Sequence, residues 1–258
     1  MCKVTVITVT YNAEKYIEET IKSVLAQNYK DYEYIIKDGD STDNTDALIR
    51  KYINNDIKKI EYIKGKDDGI YDAMNIAVCA AKGEWIIFMN AGDTFYDENV
   101  LRNIFCNQYA NKVGVLYGHA FMKLINDRGF VQTYDAEMLL KGHSICHQAV
   151  LEKKQYLLKY PFEVTLKILA DREHFLHLLS KGINFERVNM IVAREDRDGI
   201  SSTNYPQFFC EEDIINKKYG LECKQKNRGI GFIKMHVKRI LPQLEEFVMI
   251  KKAIERMV

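Results

Sequence analysis

The feature that most restricts the fold is the run Trp85-Ile86-Ile87-Phe88-Met89, in which every position is apolar. A strand with apolar side chains on both faces must be covered on both faces, so it belongs in the middle of a sheet with helices above and below. The chain then turns at once to Asn90-Ala91-Gly92-Asp93. That segment falls at the carboxyl edge of the sheet, where open α/β folds bind ligands.

The residues upstream fit the same plan. Val4 to Val9 reads as a first strand, residues 14–27 carry Ile17, Ile21, Val24 and Leu25 at helical spacing, and Tyr34-Ile35-Ile36 reads as a second strand. Thr45 to Tyr52 reads as helix, Ile60 to Ile63 as strand, and Asp72 to Ala81 as a helix stopped by Lys82-Gly83. Such alternation predicts a parallel sheet with crossover helices. Farther on, Val113–Tyr117, Val131–Tyr134 and Phe185–Val192 read as strands and Ala170–Ser180 as a helix. Residues 1–223 therefore read as one domain in two halves, 1–110 and 111–223.

The last segment, 224–258, has nine Lys/Arg against three Glu, with Ile230, Phe232, Ile233, Val237, Ile240 and Leu241 interleaved. A basic amphipathic helix of this kind lies on an anionic membrane surface, packs on its own domain, or joins two copies of the chain in a homodimer. The chain as a whole has 37 basic and 36 acidic residues, which argues against a surface built for nucleic acid. Cys2, Cys79, Cys106, Cys146, Cys210 and Cys223 are widely spread, without a CxxC pair or zinc-ligand spacing, and read as reduced thiols. The start of the chain lacks the features of a signal peptide, and no run approaches the roughly 18 apolar residues of a membrane span. The expectation is a cytoplasmic protein with at most peripheral membrane contact.

Four segments bear chemistry. Val9-Thr10-Tyr11-Asn12 ends the first strand, with Asn12 either a helix N-cap or a site residue. After the second strand, Asp38-Gly39-Asp40-Ser41-Thr42-Asp43-Asn44-Thr45 opens a helix; capping accounts for Ser41 and Asp43 but not for Asp38, which is nearest the strand end. Asp67-Asp68-Gly69-Ile70-Tyr71-Asp72-Ala73-Met74-Asn75 gathers polar groups at a positive helix end, with Lys66 as a counter-charge. The fourth is Phe88-Met89-Asn90-Ala91-Gly92-Asp93.

In order and spacing these segments resemble the family-2 glycosyltransferases, strongly over residues 1–100 and more patchily to residue 203. The likeness is greatest to bacterial enzymes that build capsule, O-antigen and exopolysaccharide repeats, in which a GIYDAMN-like segment and a NAGD or NSGD turn are typical. The resemblance implies a GT-A fold: an α/β mixed sheet flanked by helices, here with a C-terminal helical tail. It implies an inverting enzyme that takes a nucleoside-diphosphate sugar, with a UDP-sugar favoured, and glycosylates a glycan or lipid-linked acceptor at the inner face of a membrane.

It also implies roles for residues. Tyr11 is expected near the base and Asp38 on base or ribose; Thr10, Asn12 and Asp40 are expected to bind the substrate, and Lys66, Asp68, Asp72 and Asn75 to lie near the diphosphate. Asn90, Ala91 and Gly92 would line the donor site, and Asp93 matches the last carboxylate of the DxD motif, which holds Mg2+ or Mn2+. Asn90 and Gly92 stand where other members have carboxylates. Asp171, in Ile168-Leu169-Ala170-Asp171-Arg172-Glu173, matches the general base, whereas Glu173 would point away from it on a helix. His143, His147 and Gln148 resemble a histidine–glutamine pair near the acceptor. Arg194 to Ser202 resembles a closing segment, with Arg194 or Arg197 on phosphate and Gly199 as hinge. Two rivals are a non-catalytic sugar-nucleotide-binding subunit, motivated by the missing acids, and a sugar-nucleotide pyrophosphorylase, which should carry a glycine-rich, arginine-containing loop after the first strand.

Overall fold

The computed structural model describes residues 3–54, 60–107, 113–123, 129–132, 135–141, 143–195 and 204–221. The strands β1 (Val4–Thr10), β2 (Tyr32–Asp38), β3 (Ile60–Lys64) and β4 (Trp85–Phe88) lie parallel in the order β3-β2-β1-β4. Their crossovers contain α1 (Ile17–Leu25), α2 (Thr45–Asn54) and α3 (Ile70–Ala80). Both β1 and β4 are buried at every position, which is the central placement that the apolar run demands.

The second half supplies β5 (Thr94–Phe95), α4 (Val100–Phe105), β6 (Val113–Lys123), β7 (Gly129–Gln132), β8 (Val150–Lys153), α5 (Lys154–Lys159), α6 (Ala170–Ser180), β9 (Asn184–Glu195) and α7 (Tyr205–Tyr219). It extends the sheet beyond β4 as β8-β6-β9-β5, with β7 beside β6. β8 runs antiparallel to both β4 and β6, β9 is parallel to β6, and β5 is antiparallel to β9. The result is the mixed sheet flanked by helices that was expected.

Period-two alternation divides the core between the two faces. Ile86 and Phe88 pack with Met74 and Ala77 of α3 and Phe175 and Leu178 of α6, whereas Trp85 and Ile87 pack with Ile17, Ile21 and Val24 of α1 and Leu101 of α4. The reason for Gly83 is different from the one its position suggests. α3 is capped by Ala81 in an extended conformation, and Gly83 is required because a Cβ there would strike the backbone of Thr5. α6 is buried nearly all round, and several of its polar groups are paired inside the protein. His174 lies 2.9 Å from Glu152, Arg172 donates to Asn216 Oδ1 at 3.0 Å, and Glu173 accepts from Lys218 and Tyr219 at 2.6 and 2.7 Å. No helix among the described residues is long and apolar enough to cross a membrane.

Candidate functional site

Loops meet at the carboxyl edge of β1, β2 and β4. Tyr11 stands 63% exposed, and Asn12 takes a left-handed φ of 49°. The Asn12 N–H donates to Ser41 Oγ (2.9 Å) and its Oδ1 accepts from the Thr42 N–H (2.8 Å). Asn12 thus ties two edge loops together, and the N-cap of α1 is Tyr16.

Asp38 is fully buried. Its Oδ1 accepts from the N–H and hydroxyl of Ser41 (3.0 and 2.6 Å), and its Oδ2 accepts from the Tyr62 hydroxyl (2.9 Å). The single Tyr62 proton is shared with Asp46 Oδ1, which lies 2.7 Å from the same hydroxyl. Burial first, and then the carboxylates of Asp46 and Asp38, raise the Tyr62 phenol far above its usual pKa, so it remains a donor. Beneath this loop Lys37 is buried against Asp67 (2.6 Å) and donates to the carbonyls of Asp38 (3.0 Å) and Gly65 (2.6 Å). A Cβ on Gly39 would come within 3.0 Å of Asp67 Oδ2 and 3.3 Å of the Tyr11 ring, so a larger residue there would push these side chains aside. Asp40 has a φ of 69° and lies 3.8 Å from Lys64.

The third segment is mainly architectural. Asp72 accepts from the Asp68 N–H (3.0 Å) at the start of α3, and Asn75 clamps Phe162, donating to its carbonyl (2.9 Å) and accepting from its N–H (3.0 Å). Lys66 and Asp68 are exposed. Tyr71, which was not singled out from the sequence, reaches farther: its hydroxyl lies 2.7 Å from the Ile168 carbonyl and 3.1 Å from Asp171 Oδ1. Burial and then Asp171 raise its pKa well above that of a free phenol.

A cavity of about 500 Å³ opens at this edge. Its walls include Tyr11, Asn12, Asn90, Ala91, Gly92, Asp93, His147 and Asp171 of the predicted set, together with Tyr71, Cys146, Gln148 and Glu195. Thr10, Asp38, Asp40, Lys66, Asp68, Asp72, Asn75 and Arg194 are not among its lining residues. The Asn90–Asp93 turn is pinned by Thr20 of α1, whose hydroxyl donates to the Asp93 carbonyl (2.8 Å) and accepts from the Gly92 N–H (3.0 Å). Gln148 donates to Asp93 Oδ2 at 2.9 Å.

Asp171 occupies the first turn of α6 and faces the cavity. His147 Nδ1 is 3.9 Å from its Oδ2, and His147 Nε2 is 3.2 Å from Asn90 Nδ2. Burial lowers the His147 pKa, and the charge of Asp171 only partly opposes that, so the ring is neutral at pH 7. The loop entering α6 is held from α7: the buried Glu211 accepts from the backbone N–H groups of Lys167 (2.7 Å), Ile168 (2.9 Å) and Leu169 (2.9 Å). Glu211 belongs to a helix the sequence reading did not identify, although Asn204 as N-cap, Pro206 in the first turn and Gly220 at φ 65° are its start and stop signals.

At the end of β9 the expected arrangement is altered. Residues 194 and 195 continue the strand instead of opening a loop, so they face opposite sides. Arg194 lies over the rings of Tyr96 (4.8 Å) and Phe121 (5.8 Å), while Glu195 lines the cavity and accepts from Cys146 Sγ (3.3 Å). Burial, then Glu195 and Asp93, raise the Cys146 thiol well above its usual pKa and keep it a thiol. Arg197, Gly199 and the rest of the expected closing segment, 196–202, lie outside the described residues, as does the tail 224–258.

Among the described residues there is no group of three or more His, Cys, Asp or Glu side chains arranged to enclose a metal. Mg2+ beside a diphosphate is held by one or two carboxylates, with phosphate oxygens and water completing the shell, and the single carboxylate of Asp93 on the cavity wall is compatible with that arrangement.

Comparison with known proteins agrees with this geometry. Residues 5–164 match the family described as Glycosyl transferase family 2. A PGL/p-HBAD biosynthesis glycosyltransferase of Mycobacterium tuberculosis is 25% identical over 217 residues, which cover 82% of this chain and 84% of that one. Among solved structures, Staphylococcus aureus TarS 1-349 in complex with UDP-GlcNAc superposes with a TM-score of 0.67 at 20% identity, over 92% of this chain and 73% of that one. This chain spans 43% of the longer TarS chain. The mannosyltransferase PcManGT of Pyrobaculum calidifontis, in complex with GDP-Man and Mn2+, superposes with a TM-score of 0.63 at 17% identity, over 84% of this chain and 69% of that one.

Proposed function

Because the chain belongs to glycosyl transferase family 2, we propose that it is an inverting enzyme that moves a sugar from a nucleoside-diphosphate sugar, a UDP-sugar first of all, to a hydroxyl of a glycan or lipid-linked acceptor in cell-surface polysaccharide synthesis. The observation that carries this reading is that Asp171 and Asp93, from the start of α6 and the edge of β4, open on one cavity. An inverting displacement needs one base on the acceptor side and charge neutralisation on the leaving-group side. The acceptor oxygen attacks the anomeric carbon and gives its proton to the Asp171 carboxylate. The bond from that carbon to the diphosphate oxygen breaks, and the electron pair leaves with the nucleoside diphosphate. A divalent cation, Mg2+ or Mn2+, would supply positive charge to the departing diphosphate, with Asp93 as its protein ligand.

In this reading Tyr11 offers a ring face to the base, and Asn12 and Gly39 let the loops meet around it. Asp38, Asp72 and Asn75 act through the backbone they order. The tail, residues 224–258, is proposed to rest on an anionic membrane surface where a lipid-linked acceptor would lie; comparing the full chain with one ending at Lys226 on phosphatidylglycerol vesicles tests this against packing on protein. The catalytic reading is tested by incubating the full chain with UDP-, GDP- and dTDP-sugars and Mn2+, measuring nucleotide release and thermal shift. Stabilisation and nucleotide release by a sugar nucleotide support it. Stabilisation without release by any donor, with acceptors supplied, would instead support a non-catalytic binding subunit.

A further inference from the structure

Asn90 is only 7% exposed, yet its Oδ1 has no hydrogen-bond partner in the protein. A buried carbonyl oxygen without a donor carries a desolvation cost, so one that lines a cavity points to a ligand that donates to it. The other end of the same amide is occupied, with Nδ2 3.2 Å from His147 Nε2.

The direction of that contact follows from the groups around the ring. The neutral imidazole carries a single N–H. If Asn90 donates to Nε2, the ring proton sits on Nδ1, facing Asp171 Oδ2 3.9 Å away. The opposite arrangement turns the Nδ1 lone pair toward the carboxylate and is electrostatically unfavourable. The charge of Asp171 therefore selects the tautomer, the tautomer selects the amide orientation, and Asn90, a residue of the cavity wall, is left with a buried and unpartnered acceptor.

We infer that His147 is a positioning residue that couples the two sides of the reaction, holding Asn90 as an acceptor for a hydroxyl of the transferred sugar while presenting Nδ1–H to Asp171. This rests on reading the cavity as the glycosyl-transfer site. Asn90 lies in the same turn as Asp93 and is linked through His147 to Asp171, so what faces it lies between the diphosphate and the acceptor. That is where the transferred sugar must be, and sugar hydroxyls are the donors available there.

The test uses the full chain with Mn2+ and compares bare nucleotides, UDP and GDP, with UDP-GlcNAc, UDP-glucose, UDP-galactose and GDP-mannose by calorimetry. Donor hydrolysis supplies a turnover readout. For the best sugar nucleotide, Asn90→Ala is expected to weaken binding about three- to tenfold while leaving the matching bare nucleotide within about twofold. His147→Phe, which keeps a ring but removes both nitrogens, is expected to lower the same selectivity and also kcat. His147→Gln, whose carbonyl can accept from the Asn90 amide, is expected to restore the sugar selectivity but not all of kcat. Retained binding of the bare nucleotide serves as the folding check, and Asn90→Ser repeats the comparison with a smaller change. Equal weakening of bare and sugar-bearing nucleotides, or no change in either, would overturn the inference. Failure of the wild type to bind any of these nucleotides would overturn the proposed function itself, before any variant is made.

Discussion

Glu211 offers the sharpest test of how the candidate base is held. It is 1% exposed, and its carboxylate accepts from three successive backbone N–H groups on the way into α6, plus Gln207 Nε2 at 2.8 Å. In Glu211→Ala, the N–H of exposed Lys167 finds water, but those of buried Ile168 and Leu169 do not. At about 1–3 kcal/mol for each buried N–H left without an acceptor, the loss is about 2–6 kcal/mol. This is a large share of the ~5–15 kcal/mol that holds a typical domain together. In urea, with a slope of about 3 kcal/mol/M, the midpoint should fall by roughly 1 M or more. Glu211→Gln keeps one carbonyl acceptor and should lose about half as much. Amide exchange at residues 167–169 should quicken in both variants beyond what global destabilisation explains, and turnover should fall because Asp171 begins just beyond this loop. A Glu211→Ala protein within about 0.5 kcal/mol of wild type, with unchanged exchange at those amides, would refute the reasoning.

Asp171→Asn keeps shape but cannot take a proton, so turnover should fall by about 10²-fold or more with donor affinity nearly unchanged; loss of affinity with normal turnover would contradict its role as base. Asp93→Ala should raise sharply the Mn2+ concentration needed for half-maximal activity, and full activity of the wild type in excess chelator would remove the cation from the scheme. The His174–Glu152 pair predicts a pH effect on stability. Burial alone would lower the His174 pKa, but the charge and hydrogen bond of Glu152 prevail and raise it above 6.5. The folded state therefore holds this proton more tightly than the unfolded chain, so the pair's contribution is complete below pH about 6.5 and fades as pH rises through the folded pKa. Urea unfolding of wild type and Glu152→Gln from pH 5.5 to 8.5 should show the difference between them shrinking with pH; a difference that grows with pH would reverse the assignment.

The first half of the fold was legible because its signals are local. Trp85 to Phe88 forms a strand buried at every position, and in the second half α6 spans Ala170–Ser180 as its own local pattern predicts. Short elements were not legible. β5 has two residues and exists only by pairing with β9, and β8 is fixed by β4 and β6 on either side. For the site, the turn at Asn90–Asp93, His147 and Asp171 came together as expected, although they are far apart in the chain. Arg194 went the other way because β9 continues past Val192 to Glu195, and alternation along a strand sends consecutive residues to opposite faces, so Glu195 reaches the cavity. Whether that segment was strand or loop depended on pairing with Thr94 and with β6, which a local pattern does not reveal.

The polar residues of the edge loops divide into those that face the cavity and those that fix the ones that do. Asp38 stood out because capping did not explain it, and in the fold its buried carboxylate accepts from Ser41 and lies beside the Tyr62 hydroxyl, so it orders the loop that carries Gly39 against Tyr11. Asn75 likewise joins α3 to Phe162, and Tyr71 on that helix reaches Asp171. Sequence can identify the polar residues near a sheet edge, but facing depends on partners that arrive from distant segments: Tyr62, Phe162 and Glu211. Fixing the loops in this way has a catalytic rationale, since a base or a leaving-group ligand displaced by an ångström loses much of its effect. The internally paired polar groups are therefore part of the site's design even though they line none of it.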